Sequence, residues 1–171
     1  FGTRSEKGRW RWRASRALTM LTPKTLMKPE RKSEIVEVRH AGLYAYGDDH
    51  QVVSVKSPGS AIHRKKPCPN CPWRVDAVGE FPAEAFRHSA ETAYDMSNKI
   101  FACHEAGIQR TAICAGFLLR GADHNLAIRL KYLQGHQLDA TCDGVELHDS
   151  YRAMAIANGV PADDPVLAPC R

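Results

Sequence analysis

The spacing of the cysteines constrains this chain more than any other feature of its sequence. Cys68 and Cys71 form a C-x-x-C pair, and Cys103 and Cys114 follow with ten residues between them. Two residues between two thiolates allow both sulfur atoms to face one ion. No apolar stretch typical of a secretory signal is visible, so a framework of disulfides is a poor default. We therefore predict one metal ion bound by these four sulfur atoms.

The local sequence around each cysteine supports this prediction. Cys68 and Cys71 lie in the stretch KPCPNCPWR, whose tight turn offers backbone N–H groups to the thiolates. Cys103 ends an apolar strand predicted over 100–103. Cys114 lies near the start of a helix predicted over 112–119, where the helix dipole favours a thiolate. This layout resembles the treble-clef group of zinc-binding folds, in which the second pair of ligands is usually closer.

The sequence is compatible with more than one occupant of this site. Closed sites with four sulfur or nitrogen ligands most often hold Zn²⁺, four thiolates also hold iron–sulfur clusters, and buried cysteines without an ion are a third reading. His104 is a substitute ligand that would give a Cys₃His site, although adjacent residues of a strand point apart. Cys142 and Cys170 lack such spacing, and we expect a small buried residue and a tail residue, respectively.

Enzyme classes fit the pattern less well than a binding protein. Zinc deaminases place H-x-E before P-C-x-x-C, and no H-x-E precedes Cys68. A thioredoxin-like dithiol opens a helix after a strand, whereas here a basic loop precedes the pair and Pro72 follows it. Cys103 and His104 are neighbours in sequence, and a nucleophile and its base usually meet through the fold. We predict no catalytic residue.

The positive charge is confined to the first 32 residues. They contain ten Lys and Arg and two Glu, for a net charge of +8, and the other 14 basic and 17 acidic residues give −3, which together make the overall +5. Residues 9–13 alternate arginine and tryptophan, a pattern suited to phosphate contact and base stacking. We predict that residues 1–32 are a disordered or non-native basic extension, that 33–160 form one metal-binding domain, and that 161–171 are a frayed tail.

The domain pattern predicts an α+β fold. β-branched residues between Ile35 and Val55, interrupted by a turn at 47–50, predict an N-terminal hairpin or meander. A mainly helical part follows, held together by the metal, with helix starts predicted at Pro82, Thr111, Asp123 and Ser150. Trp73 and Leu130 are expected to be packing residues, and His124 and His148 surface or capping residues.

Three segments, KPCPNCPWR from Lys66, FACH from Phe101 and CAGFL from Cys114, occur in this order. Together they resemble a family of small, uncharacterised proteins found in bacteria and their phages, over about residues 66–130. The resemblance implies a shared site at the four cysteines and no assigned activity.

We therefore expect a small zinc protein, in a bacterial or phage setting, whose structural Cys₄ site supports binding to a protein or a nucleic acid. Four protein ligands leave no coordination position for a substrate. An iron–sulfur or dithiol redox protein is the alternative. Because no apolar run approaches the roughly 18 residues that span a bilayer, we expect no transmembrane segment and a cytoplasmic location.

Overall fold

The computed structural model of the protein describes residues 33–57 and 61–171, and all of them fall within one compact unit. These residues form two strands followed by four α-helices, which confirms the predicted α+β fold class. The strands are β1, Glu34–Leu43, and β2, Asp49–Lys56. The helices are α1, Ala83–Ser89; α2, Ala115–Arg120; α3, Leu126–Leu133; and α4, Tyr151–Ala157.

The predicted extension over residues 1–32 lies outside the described residues. The assignment of 33–160 to a single metal-binding domain stays a prediction. None of the described helices is long and apolar enough to cross a membrane.

The two strands form an antiparallel hairpin at the beginning of the described chain. Val38 lies opposite Val53, and the ladder runs from the Glu34–Lys56 pair to the Leu43–Asp49 pair. The turn lies earlier than predicted, because the backbone N–H of Tyr44 donates to the carbonyl of Asp48 and closes it before β2 begins. An isolated hairpin is only marginally stable in water. Here α1 packs against both strands and supports them.

Two of the four predicted helix starts agree with the structure, and two differ from it. Pro82 precedes α1, and the side chain of Ser150 caps α4 by accepting a hydrogen bond from the Ala153 N–H, as the sequence predicts. The predicted cap at Asp123 is wrong, because Asn125 caps α3 by accepting from the Ile128 N–H. The helix predicted over 112–119 begins only at Ala115, since the preceding residues pair with other segments.

The core is built around Trp73, whose side chain is fully buried. Its indole lies edge-on to Phe101 and Tyr151, with ring centroids 6.0 and 5.9 Å away, and it also contacts Phe117 at 6.2 Å. Such tilted and edge-to-face contacts are the favourable arrangement for aromatic rings. Trp73 is therefore the packing residue that the sequence predicts, and it fixes the turn containing Cys71 to α2 and α4.

Several local expectations differ from the structure. The strand predicted over 100–103 is reduced to a single bridge between Ala102 and Ile113. Leu130 is exposed, because the buried residue of α3 is Ile128. His148 is buried rather than at the surface, since its backbone N–H donates to the carbonyl of Trp73 and draws it into the core.

The C-terminal segment also differs from its prediction. Residues 161–171 are packed against the body rather than frayed. Leu167 is fully buried, and Tyr94 bridges Cys170 in an antiparallel backbone contact. The carboxylate of Asp164 accepts a hydrogen bond of 2.8 Å from Arg87 of α1. Apolar burial and a half-buried ion pair together hold the chain end to α1.

Candidate metal centre

Four buried cysteines from separate segments approach one another beside the core. The Sγ atoms of Cys71 and Cys114 are 3.6 Å apart, and those of Cys68 and Cys103 are 3.9 Å apart. Cys68 and Cys71 also interact through their thiols, so the sulfur atoms contact one another in the order Cys103, Cys68, Cys71, Cys114. All four residues are between 0% and 3% exposed.

Backbone hydrogen bonds explain why these segments converge. The N–H of Cys71 donates to the carbonyl of Cys68, which closes the C-x-x-C turn and turns both side chains inward. The bridge between Ala102 and Ile113 is bounded by hydrogen bonds from the Cys103 and Cys114 N–H groups, at 2.8 and 3.0 Å. Each late cysteine therefore directly follows a bridged residue, which holds the two close despite the ten residues between them.

The same Ile113 also contacts the chain that leads into the first pair. The N–H of Arg64 donates to the Ile113 carbonyl, and the Ile113 N–H donates to the carbonyl of Ile62. One residue thus joins the segment before Cys68 to the segment before Cys114. Because only three residues separate Arg64 from Cys68, this pairing also keeps Cys68 and Cys71 close to Cys103 and Cys114.

The backbone places N–H donors at two of the sulfur atoms. The N–H groups of Glu105 and Ala106 donate to the sulfur of Cys103, because a 3₁₀ turn, His104–Ala106, begins directly after that residue. The N–H of Trp73 donates to the sulfur of Cys71. Donors of this kind favour a thiolate over a thiol and lower the pKa of each cysteine.

Mutual contact and burial act in the opposite direction and dominate. The hydrogen bond with Cys114, together with burial, raises the pKa of Cys71 to about 12. Cys68 gains some stabilisation of its thiolate from Cys103, but its contact with Cys71 and its burial raise its pKa to about 12 as well. The hydrogen bond with Cys68 and burial also raise the pKa of Cys103. A cation bound here would have to displace these protons.

A second grouping involves His104 and Glu105. Among the residues that the structure describes, Cys68, His104 and Glu105 form the group whose potential ligand atoms all lie within 4.8 Å of one another. Among the described residues the four cysteines do not meet this criterion, so an ion bound by all of them would require the outer sulfur atoms of the contact chain, those of Cys103 and Cys114, to come closer. The group of Cys68, His104 and Glu105 is close enough to bind a metal ion as it stands.

His104 and Glu105 lie at the surface, whereas Cys68 is buried. Partial desolvation lowers the pKa of His104, which favours the neutral imidazole that binds metals, and its ring lies edge-on to Phe81 at 5.6 Å. Arg64 donates to a Glu105 carboxylate oxygen at 3.4 Å. Sequence reasoning missed Glu105, because only the 3₁₀ turn after Cys103 brings it near Cys68.

The other two cysteines lie apart from this cluster. Cys142 is exposed, so the expectation of a small buried residue is wrong, because it lies in an irregular loop with no core contact. Cys170 is half-buried, and its thiol lies 3.8 Å from the carbonyl oxygen of Ala90. All six cysteines are free thiols.

The fold and this site define a small α+β protein with a buried cysteine cluster and a Cys/His/Glu group that is able to bind a metal ion. The chain belongs to the Family of unknown function (DUF6283), whose sequence profile matches residues 63–171. The match extends past the stretch 66–130 that the motifs indicate, and the four-cysteine signature itself stays a prediction. No curated protein and no solved structure matches the chain.

Proposed function

We propose that the chain is a zinc protein in which Cys68, Cys71, Cys103 and Cys114 hold one structural Zn²⁺, and that the domain so stabilised is a binding module rather than an enzyme. The observation that carries the proposal is the convergence of four buried sulfur atoms in two pairs, 3.6 and 3.9 Å apart.

The two sulfur–sulfur distances suit zinc. Ligand sulfurs in a tetrahedral site with Zn–S bonds of about 2.3 Å lie about 3.8 Å apart. The N–H groups that donate to Cys71 and Cys103 would stabilise their thiolates in such a site. The Arg74 guanidinium is paired with Asp76 and also lies close enough to Cys71 and Cys68 to interact with their charge, so it would offset a small part of the negative charge of a Zn(Cys)₄ centre.

Metal analysis of the full chain, purified under reducing conditions, tests the proposal. We expect one zinc per chain and a loss of zinc when any one of the four cysteines is replaced by serine. Cys142→Ser is the matched control, since this cysteine is exposed and outside the cluster. Full zinc content in all four variants, or equal loss in the control, would contradict the proposal.

An iron–sulfur protein is the second candidate, and the pairwise arrangement of the sulfurs favours it. A [2Fe–2S] cluster takes two cysteines on each iron, and the close pairs Cys68–Cys103 and Cys71–Cys114 fit that division. Visible absorption by the anaerobically purified chain would show that the site holds this cluster and not zinc. Reversible oxidation to a disulfide within the cluster, in a chain without metal, would instead support a dithiol redox protein.

For the partner, the described surface favours a protein. β1 exposes Val36 and Val38, at 66% and 45%, and exposed apolar side chains in one strand are typical of interaction surfaces. Residues 33–171 carry a net charge of −3, which disfavours a nucleic acid. The six free thiols are consistent with a cytoplasmic setting, and the bacterial or phage setting rests on the sequence resemblance.

Nucleic-acid binding then depends on the basic segment 1–32. If this segment contributes to function, the full chain should bind DNA or RNA with a strong salt dependence, and a chain beginning at Met27 should bind at least about tenfold more weakly. Equal affinity of the two chains would remove the basic segment from the function and leave the protein-binding proposal in place.

A further inference from the structure

Cys68 belongs to two groups of potential metal ligands at once. Its sulfur lies 3.9 Å from that of Cys103 and so belongs to the buried cluster. The same residue lies with His104 and Glu105 in the group whose ligand atoms are all within 4.8 Å of one another. Cys68 is therefore a ligand that the two groups share.

The two groups differ in their exposure. His104 and Glu105 reach the surface, whereas Cys71 is fully buried and Cys114 is 2% exposed. An ion arriving from solvent thus meets an imidazole and a carboxylate before it meets the deeper sulfurs. Thiolate, imidazole and carboxylate are all ligands that Zn²⁺ and Co²⁺ accept.

We propose that Cys68, His104 and Glu105 form an uptake site, which takes a divalent transition-metal ion from solvent and passes it to the four-cysteine centre. This inference rests on the proposed function. In the transfer the metal keeps its bond to the Cys68 sulfur. The Cys68 thiol has already released its proton to the buffer when the ion first binds there. The bonds to the His104 nitrogen and the Glu105 oxygen then break, bonds form to Cys71, Cys103 and Cys114, and each of these three thiols releases its proton to the buffer. No electron is transferred.

The ion pair between Arg64 and Glu105 controls this uptake site. The guanidinium nitrogen lies 3.4 Å from the Glu105 oxygen and competes with a metal ion for it. Competition from Arg64 would therefore slow the binding of a metal ion to this carboxylate. Removal of Arg64 frees the carboxylate, so its effect on uptake should be opposite to the effect of removing His104 or Glu105.

Metal exchange in the full chain tests this inference. Zinc is released from the loaded protein into excess 4-(2-pyridylazo)resorcinol, and the recovered protein is reloaded with Co²⁺ while sulfur-to-cobalt charge-transfer absorption is recorded. For His104→Gln and Glu105→Gln we expect both rates to fall by about tenfold, with the final cobalt spectrum and stoichiometry unchanged. For Arg64→Gln we expect faster exchange.

A matched control uses a second exposed acid–histidine pair. Asp123 and His124 are adjacent and exposed, as Glu105 and His104 are, and they lie outside the cluster. The double variant Asp123→Asn, His124→Gln should exchange metal at the rate of the unaltered chain. Circular dichroism of each loaded variant establishes that the fold is retained.

The outcomes separate the inference from the proposed function. Unchanged rates in His104→Gln and Glu105→Gln, with a normal cobalt spectrum, would overturn the uptake site and leave the Cys₄ centre standing. A changed final spectrum in His104→Gln would also overturn it, since His104 would then be a permanent ligand. Absence of any sulfur-to-cobalt band in the unaltered chain would overturn both.

Discussion

Asn125 shows how one buried amide fixes three segments. Its Oδ1 accepts from the Ile128 N–H and caps α3, while its Nδ2 donates to the carbonyls of Thr92 and Lys99, at 3.2 and 2.6 Å. The side chain is only 1% exposed. A cap alone requires an acceptor, which aspartate supplies equally well. The two carbonyls require a donor, and this requirement selects asparagine.

Replacement of Asn125 by aspartate tests this reading. Asp retains the cap but places a carboxylate against two buried carbonyl oxygens, so we expect a loss of about 2 kcal/mol or more in the free energy of unfolding. Urea denaturation of the metal-loaded chain measures it. Ser150→Asp is the control, because Ser150 caps α4 through the Ala153 N–H, and there we expect a change within about 1 kcal/mol. Equal losses would show that Asn125 acts only as a cap.

His148 gives the stability a dependence on pH. Burial lowers its pKa below the usual value of about 6.5, and its Nε2 is buried without a partner among the described residues. The unfolded chain then binds a proton more readily than the folded chain as the pH falls below about 6.5, so acidification destabilises the fold. His50 and His104 shift in the same direction and add to this dependence.

His148→Phe, which has no proton to bind, should therefore lose less stability than the unaltered chain between pH 7.5 and 5.5. Chemical denaturation at the two pH values measures the difference. His124→Phe is the control, since His124 is exposed, and it should keep the full pH dependence. The same slope in both variants would exclude His148 as a source.

At the scale of secondary structure, α2 approaches Trp73 through two glycines, Gly116 within the helix and Gly121 at its C-cap. A Cβ at Gly116 would lie 2.4 Å from the Trp73 Cβ, and a Cβ at Gly121 would lie 2.4 Å from Cη2 at the far end of the indole. Non-bonded carbon atoms do not approach this closely, so a side chain at either position must push α2 or Trp73 away. Trp73 has little room to move, because it follows Cys71 in the turn by two residues.

Gly116→Ala and Gly121→Ala should each destabilise the fold by about 1–3 kcal/mol because of overpacking, which at Gly116 exceeds the gain in helix propensity. A double-mutant cycle with Trp73→Phe distinguishes the contact at Gly116 from the contact at Gly121. Phenylalanine lacks the outer ring atoms that Gly121 faces but keeps the Cβ that Gly116 faces. We expect the smaller side chain to relieve the cost at Gly121 and not at Gly116. Relief at both positions would contradict the close approach.

The elements that the sequence predicts well are those with a local signal. Pro82 before α1 and Ser150 before α4 act within one helical turn, and alternating β-branched residues suffice for the hairpin. The start of α3 was mispredicted because Asp123 and Asn125 are equal as local caps, and only the distant carbonyl of Lys99 selects the second. Burial of Leu167 likewise depends on contacts far away along the chain.

For the whole molecule, the cysteine cluster joins parts that share few regular hydrogen bonds. Spacing alone identified the four cysteines as candidates, since C-x-x-C and a later pair are visible in the sequence. The Cys68–His104–Glu105 group was not predictable, because its ligand atoms approach through the 3₁₀ turn that follows Cys103. A metal at the four cysteines would connect the C-x-x-C turn, the Ala102–Ile113 bridge and the start of α2.

Removal of the metal should therefore weaken the fold without abolishing it. Structural zinc contributes its binding free energy to folding, and without it the four buried thiols keep only their mutual contacts. The aromatic core around Trp73 would persist, since it does not depend on the ion. We expect an excess of chelator to lower Tm by about 10 °C or more while most helical circular dichroism remains at 25 °C.

Added Zn²⁺ should restore Tm in the unaltered chain and in Cys142→Ser. It should not restore Tm in Cys71→Ser, because the Cys71 sulfur contacts those of both Cys68 and Cys114. A melting temperature that does not respond to chelator would show that the four sulfurs are only part of the core.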